Sequence, residues 1–331
     1  MEFQVYTAYP NDLAEDWQAL LQDSVHKVPF LAFQYQKLWW ESRGAGEWSQ
    51  DCELRLIVAR EGDRLVGVAP LFLTPQGELR LVGSVEISDY LGFLVRPADV
   101  DRFVAGLYAQ LQDMQWQHIT LDNIFDDSPL VPALLQGAVN AGWTSTEEDE
   151  EVAPSVSLDG DWETYLAGVN KKQRHEIRRK MRRAEESELG VKFRFVRDAE
   201  ELPQAMQDVF RLMRYDEEKQ AFLTPVMEKL FLDMADWALA EGILSLAFLD
   251  INGRPAACNF SFDYEDQIWL YNSGISSEYQ ELSPGWVILG NLIQWCTQNG
   301  KTRFDFMRGD EEYKYRFGAQ NRQLVQIKIT R

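Results

Sequence analysis

The apolar positions of this chain fall into short strand-like runs separated by turn residues, and the same arrangement comes twice. In the first half, 54–60 (LRLIVAR), 65–73 (LVGVAPLFL) and 78–84 (ELRLVGS) are joined by Gly62-Asp63-Arg64 and Pro75-Gln76-Gly77. Apolar runs of this length bounded by Gly, Pro and Asp predict three antiparallel strands linked by hairpins. In the second half, 243–250 (ILSLAFLD), 255–264 (PAACNFSFDY) and 267–274 (QIWLYNSG) repeat the layout around an Asn252-Gly253-Arg254 turn and a short acidic turn. Each trio leads through a loop into an amphipathic helix and one more strand: about 99–114 then 118–123 (HITLDN), and about 284–298 then 303–307 (RFDFM). Two copies of one α/β unit account for this order.

The helix expected from 284 has Ser283 as cap, Pro284 at its first position and Gly300 beyond its end. Ile288, Leu289, Leu292, Ile293 and Cys296 give it a buried face at helical spacing. Thr224-Pro225 opens another helix, with Met227, Leu230, Phe231, Met234 and Ala238 facing inward and Gly242 closing it. The acidic run Glu147–Glu151 next to Pro154 is a poor candidate for packed core, so the division between domains is expected near 155.

Composition sharpens this picture. A chain of 331 residues with 45% hydrophobic residues and 11 Trp has material for two cores. Cys52, Cys258 and Cys296 lie far apart in apolar runs and predict buried thiols in a reducing compartment. The three scattered histidines offer no zinc spacing, and no metal is expected. No apolar stretch approaches the roughly 18 residues of a membrane span, and the N-terminus lacks a charged start followed by an apolar run. A cytoplasmic location is expected.

Net charge is −20, which disfavours general binding to phosphate backbones, yet residues 171–183 hold eight Lys or Arg against the single Glu176. A helix over about 162–187 is predicted there, with Val169, Gln173, Ile177, Met181 and Ala184 as a thin inward stripe and His175 on the solvated face. Arg174 and Arg178 are candidates for holding an anionic substrate, the phosphates of a donor or tRNA. The acidic remainder of the chain is the counter-charge that a structural reading of this segment invokes.

Three hairpin-linked strands followed by a helix that starts opposite the third strand's end resemble the Gcn5-related N-acetyltransferases (GNAT). The Ser283-Pro284-Gly285 start and the string Asp305-Phe306-Met307-Arg308-Gly309-Asp310-Glu311-Glu312-Tyr313-Lys314-Tyr315-Arg316-Phe317-Gly318 are similar to a narrower group. This group is the BioF2-like or CelD-type acetyltransferases associated with cellulose and other polysaccharide biosynthesis, relatives of the Fem peptidoglycan aminoacyltransferases. The similarity spans nearly the whole chain, including Phe30–Trp40 and Ser88-Asp89-Tyr90-Leu91. It implies an α/β (α+β) fold of two tandem acetyltransferase-like domains, each a mixed, mostly antiparallel sheet flanked by helices. The first, 1–155, would be degenerate and the second, 156–331, would hold the donor site.

The resemblance also implies acetyl-CoA, or another acyl-CoA, as donor. That family grips the pyrophosphate with main-chain N–H groups at the helix start, where orphan donors and the positive dipole end favour an anion. Ser283, Gly285 and Trp286 stand at that place. Tyr271, Asn272 and Ser273 on the third strand would hold the pantetheine arm and donate to the developing oxyanion. Tyr313 or Tyr315 would be the acid that caps the leaving thiolate, and Asp310 the base or amine anchor. Lys314 and Arg316 would neutralise a phosphate or carboxylate. The alternative for Asp310–Arg316 is a solvated helix with charge pairs. Asp89 and Tyr90 are substrate-facing candidates, or a strand-ending turn. The expected acceptor is a small molecule, amino sugar or polysaccharide precursor. Two other readings are aminoacyl transfer from aminoacyl-tRNA and a non-catalytic binding protein that kept the fold.

Overall fold

The computed structural model describes residues 1–331. The elements are β1 (Glu2–Tyr6), α1 (Ala14–Gln22), α2 (Phe33–Gly46), β2 (Glu53–Glu61), β3 (Arg64–Leu73), β4 (Glu78–Leu81), β5 (Leu94–Val95), α3 (Val100–Gln112), β6 (His118–Phe125), α4 (Leu130–Ala141) and β7 (Thr144–Ser157). There follow α5 (Trp162–Gly168), α6 (Lys171–Glu185), β8 (Val191–Phe195), α7 (Leu202–Met213), α8 (Glu217–Phe222), α9 (Pro225–Ala240), β9 (Leu244–Ile251), β10 (Arg254–Tyr264), β11 (Gln267–Ile275), α10 (Pro284–Gln298), β12 (Arg303–Asp305), α11 (Glu312–Arg316) and β13 (Gln320–Thr330).

Two compact units result: residues 1–152 with 322–331, and residues 153–321. The first has the strand order β1-β2-β3-β4-β6-β13, with β2, β3 and β4 antiparallel and β6 parallel to β4 through the α3 crossover. The second follows the same plan: β8, β9, β10 and β11 are antiparallel neighbours, and β12 runs parallel to β11 after α10. Both trios of strands and both crossover helices stand where the patterning puts them. Each sheet is closed by an antiparallel strand, β13 against β6 in the first unit and residues 155–157 of β7 against β12 in the second. The expected spans, 1–155 and 156–331, assign the last ten residues differently, because a strand pairing over long sequence separation leaves little local signal.

In the second unit, successive side chains of β10 alternate between two helical layers. Phe260 and Phe262 meet Phe231 and Trp237 of α9, while Ala257 packs with Val287 and Ile288 of α10. The inward positions expected for α9 and α10 are buried. Helix α6 lies close on α10, since a Cβ at Gly290 would sit 2.7 Å from Met181 Sδ.

Several expectations are corrected. The single helix over 162–187 is two: Val169 is extended and Asn170 caps α6, its side chain accepting the Lys172 N–H at 3.0 Å. The acidic run 147–151 is part of strand β7, where Glu148 pairs with Lys328 at 2.8 Å and Glu150 accepts the Asn123 N–H at 2.6 Å. Ser283 is left-handed (φ 52°) and makes no side-chain capping bond, because it does not present its hydroxyl as an extended N-cap residue does. Its carbonyl instead accepts the Trp286 and Val287 N–H groups. No helix is long and apolar enough to cross a membrane.

Candidate active site

The site is built where β11 leaves β12. Pairing between these parallel strands ends at Trp269 and Asp305, so β11 runs on from Leu270 to Ile275 without that neighbour. At the same place the β10–β11 register shifts between Phe260 and Ser261, a bulge that re-aims the side chains beyond it. Two adjoining cavities lie beside the free segment and share Ser273, Ile275, Gly285 and Trp286.

One is a partly open cavity of about 240 Å³, lined by Leu270 and Ser273 of β11, Asn259 of β10, Leu289 of α10, and Tyr313 and Phe317 from the end of the chain's second unit. It is apolar apart from a few groups. Tyr313 is among them; burial, with the nearby Glu311 carboxylate second, raises its phenol well above the usual range. A Cβ at Gly285 would lie 2.6 Å from Ile275 Cδ1, the tip of an exposed side chain that would have to shift to admit it.

The other is a wider cleft of about 530 Å³ that includes Ser273, Ser283 and Gly285 as well as two lysines, Lys180 and Lys219. Lys219 projects from α8, whose start is capped by Asp216, and donates to the carbonyl and hydroxyl oxygens of Ser273 at 2.6 and 3.3 Å. Burial lowers its pKa, with Cys258, Asp216 and Glu311 opposing that shift. Lys180 lies 3.9 Å from the centroid of the Trp286 ring and 3.5 Å from Glu176. Burial lowers its pKa too, chiefly against Glu176. Two ammonium groups beside the positive end of a helix favour an anion.

The residues singled out from the sequence separate in space. Tyr271 is turned to the other layer, packing on Phe231, Phe260 and Phe262, whereas Ser273, Ser283, Gly285 and Trp286 line the cleft. Asn272 accepts the Ser273 N–H at 2.8 Å. Of the two tyrosines, Tyr313 lines the 240 Å³ cavity; Tyr315 is exposed and lines neither space. Asp310 is exposed and likewise lines neither. Lys314, expected to neutralise a substrate anion, is buried instead: it donates to the carbonyls of Met307 and Gly309 at 3.0 and 3.1 Å and to that of Arg308, and pairs with Glu311 at 2.9 Å. Its protons are engaged in shaping the loop ahead of α11. Arg316 pairs with Glu312, Arg178 with Glu163, and Arg174 donates to the end carbonyls of α5. Asp89 is half-buried in the first unit, and Tyr90 is core there, stacked on Phe125 at 4.7 Å and edge-on to Phe30. Lys219 and Asn259 are site residues that patterning passed over. Asn259 alone left a signal, as a polar residue on the strand face shared with Ala257.

The fold and these spaces define an α/β unit with an open central strand and an anion-favouring helix start. Residues 171–315 match the family model of the acetyltransferase (GNAT) domain. The chain thus carries a GNAT-type acetyltransferase domain and is an acyltransferase by class. No curated protein matches it by sequence. Among solved structures, FemX is similar at a TM-score of 0.66 with 13% identity over 98% of this chain and 97% of that one. A conserved protein of unknown function from Bacteroides thetaiotaomicron is similar at 0.62 and 9% identity over the full length of both. The C-terminal domain of a putative lysylphosphatidylglycerol synthetase from Agrobacterium fabrum is similar at 0.59 and 12% identity, covering 96% of this chain and 91% of that one. At such identities these likenesses show the fold.

Proposed function

We propose that the second unit transfers an acyl group from an acyl-CoA thioester, acetyl-CoA in the simplest case, to an amine or hydroxyl of a small molecule, amino sugar or polysaccharide precursor. The observation that carries this reading is the free segment of β11, with an apolar cavity and a cationic cleft adjoining it. The residues present fit such a donor: an apolar cavity for its arm, a close backbone approach at Gly285, and Lys180 beside the α10 start for its phosphates. Lys219 holds the Ser273 carbonyl and adds positive charge where negative charge develops on the thioester oxygen.

The acceptor's nucleophile enters from the cleft and attacks the thioester carbon, and the sulfur leaves toward Tyr313. Burial keeps the Tyr313 proton in place, so the phenol serves as a hydrogen-bond donor and acid to the departing thiolate. Asp310 and Glu311 are both exposed; the carboxylate we assign to the acceptor's proton is Glu311, which pairs with Lys314 at 2.9 Å and whose charge also acts on Tyr313 and Lys219. The first unit, whose corresponding opening is filled, is proposed to be degenerate.

Calorimetric titration with acetyl-CoA, joined to an assay of thiol release, tests this. Tyr313→Phe is expected to bind donor as the wild type does and to lose turnover by about 10²-fold or more. A folded wild type that binds neither acetyl-CoA nor CoA overturns the proposal. One observation favours a second reading, aminoacyl transfer from tRNA: Lys171, Lys172, Arg182 and Arg183 form an exposed cationic face on α6. Steep loss of tRNA binding with salt, abolished by neutralising these four, would support that reading.

A further inference from the structure

Asn259 is 1% exposed and lines the 240 Å³ cavity, yet its Nδ2 has no hydrogen-bond partner. Buried polar nitrogens are seldom left so, because the desolvation of an unpaired donor is not offset by any bond. The surroundings explain why none forms inside the protein. Apolar side chains of Leu270, Ile288 and Leu289 share the cavity wall, and its cross-strand partner Ser273 already has its carbonyl and hydroxyl taken by Lys219. An unpartnered amide nitrogen is thus held in the wall of this cavity, at the point where β11 becomes free.

Ser245 and Ser261 sharpen the point. They face one another across β9 and β10, their hydroxyls are equally buried and without partners, but neither lines the cavity. Asn259 differs from both serines in combining an unmade bond with a place in the cavity wall. A ligand that fills this cavity needs an apolar body and one carbonyl-type acceptor.

We infer that Asn259 is a donor-binding residue whose side-chain amide hydrogen-bonds a carbonyl oxygen of the acyl donor, an inference that rests on the donor reading above. Two carbonyls of the donor share this chemistry, the thioester carbonyl and an amide carbonyl of the pantetheine arm. In the first case the bond strengthens as the oxygen gains charge and Asn259 acts in the chemical step; in the second it fixes the arm.

The test replaces the amide by an apolar group of similar shape, Asn259→Leu, and compares acetyl-CoA with CoA. Removing an unpartnered buried donor without leaving a void should hold or raise the melting temperature. Donor affinity should nevertheless fall about tenfold, the loss of one hydrogen bond at a largely apolar wall. A fall for acetyl-CoA alone, with kcat reduced, assigns the thioester carbonyl; an equal fall for CoA assigns the arm. If the Leu variant does not fold, Asn259→Ser with the wild-type side-chain amide resonance followed by NMR carries the test: that resonance must shift on adding donor. A wild type that binds donor while the Leu variant binds it equally well, or a resonance that stays still, overturns the assignment of Asn259 alone. A wild type that binds neither ligand overturns the donor reading and this inference with it.

Discussion

The two units share a strand order but differ at the corresponding opening, where the third strand of the trio meets its parallel neighbour. In the second unit β11 outruns β12 and the space beside it stays empty. In the first unit the gap beyond β4 is filled by the protein itself. The segment after β4 folds back so that the Leu91 N–H donates to the Asn123 carbonyl at 3.0 Å and Asn123 Nδ2 donates to the Ser88 carbonyl at 3.0 Å. Tyr90 stacks on Phe125, and Tyr35 donates to the Ile87 carbonyl at 2.6 Å. Arg80 of β4 forms a two-pronged pair with the fully buried Asp122 of β6, at 3.0 and 2.9 Å. One opening is filled by the chain itself, with Arg80 Nε and Ser84 Oγ left unpartnered inside the packing, whereas the other leaves Asn259 Nδ2 unpartnered in the wall of a cavity. The same topology serves as a brace in one copy and as a receptacle in the other.

The sharpest way to break this comparison is to remove the brace. Arg80→Met leaves the Asp122 carboxylate buried with Gln326 as its remaining side-chain partner, at 2.8 Å. Stranding a buried charge costs about 3–5 kcal/mol. Denaturant unfolding is expected to show that loss in the transition of the first unit. Pairing the change with Asp122→Leu should recover most of it, since apolar replacement of both partners is close to neutral. A single variant as stable as the wild type would show that the pair does not brace the gap.

Acid should separate the units next. His26, in the first unit, is buried with Nε2 2.6 Å from Ser128 Oγ, and its pKa is lowered to about 4 by burial first and by Arg322 second, against Asp127. Between pH 6.5 and about 4 the unfolded chain binds a proton that the folded one refuses. Stability from this group is therefore complete above pH 6.5 and is lost as pH falls toward 4, by about 3 kcal/mol. The second unit's histidine, His175, is exposed on α6. Thermal melts from pH 7 to 4 should lower the first unit's transition, and His26→Gln should flatten that dependence.

How much of this was legible beforehand depends on the range of the interactions. Strand trios, crossover helices and the buried faces of α9 and α10 follow from hydrophobic spacing and turn residues, which are local. The break at Val169-Asn170 was hidden, because a strong helical pattern on both sides masks two residues that leave it. Tyr313 and Tyr315 show the limit most plainly: two residues apart on one short helix, they point to opposite environments, and only the packing of Phe317 and Phe306 decides which faces the cavity. Lys314 looked like a substrate anchor because charge is visible in a sequence and burial is not. Lys219 left no trace for the same reason.

A smaller effect probes the open side. Gly274 lies on the free segment of β11, where a Cβ would come within 2.7 Å of the Leu212 and Met213 backbone of α7. Backbone cannot yield as a side-chain tip does, so Gly274→Ala should cost about 1–3 kcal/mol and move α7 off β11. Donor affinity should fall together with stability, unlike the opposed changes expected at Asn259. Unchanged stability would mean that α7 is held less firmly against the strand than its closeness suggests.

The finest distinction lies within α6. Lys180, a single turn from the Ile177, Met181 and Ala184 stripe, turns inward over Trp286, while Arg182 and Arg183 stay exposed on the opposite face. If the helix serves the donor site through Lys180, then Lys180→Met should weaken acetyl-CoA binding by roughly three- to tenfold, a gap that narrows as salt screens the phosphates. Arg182→Ala with Arg183→Ala should leave that affinity unchanged and shift stability by less than about 0.5 kcal/mol. Quenching of Trp286 fluorescence on donor addition supplies the readout, because the Lys180 ammonium rests on that ring and must respond to a phosphate arriving beside it. Equal losses from inner and outer cations would mean that the whole face attracts donor at long range, and would remove Lys180 from the site.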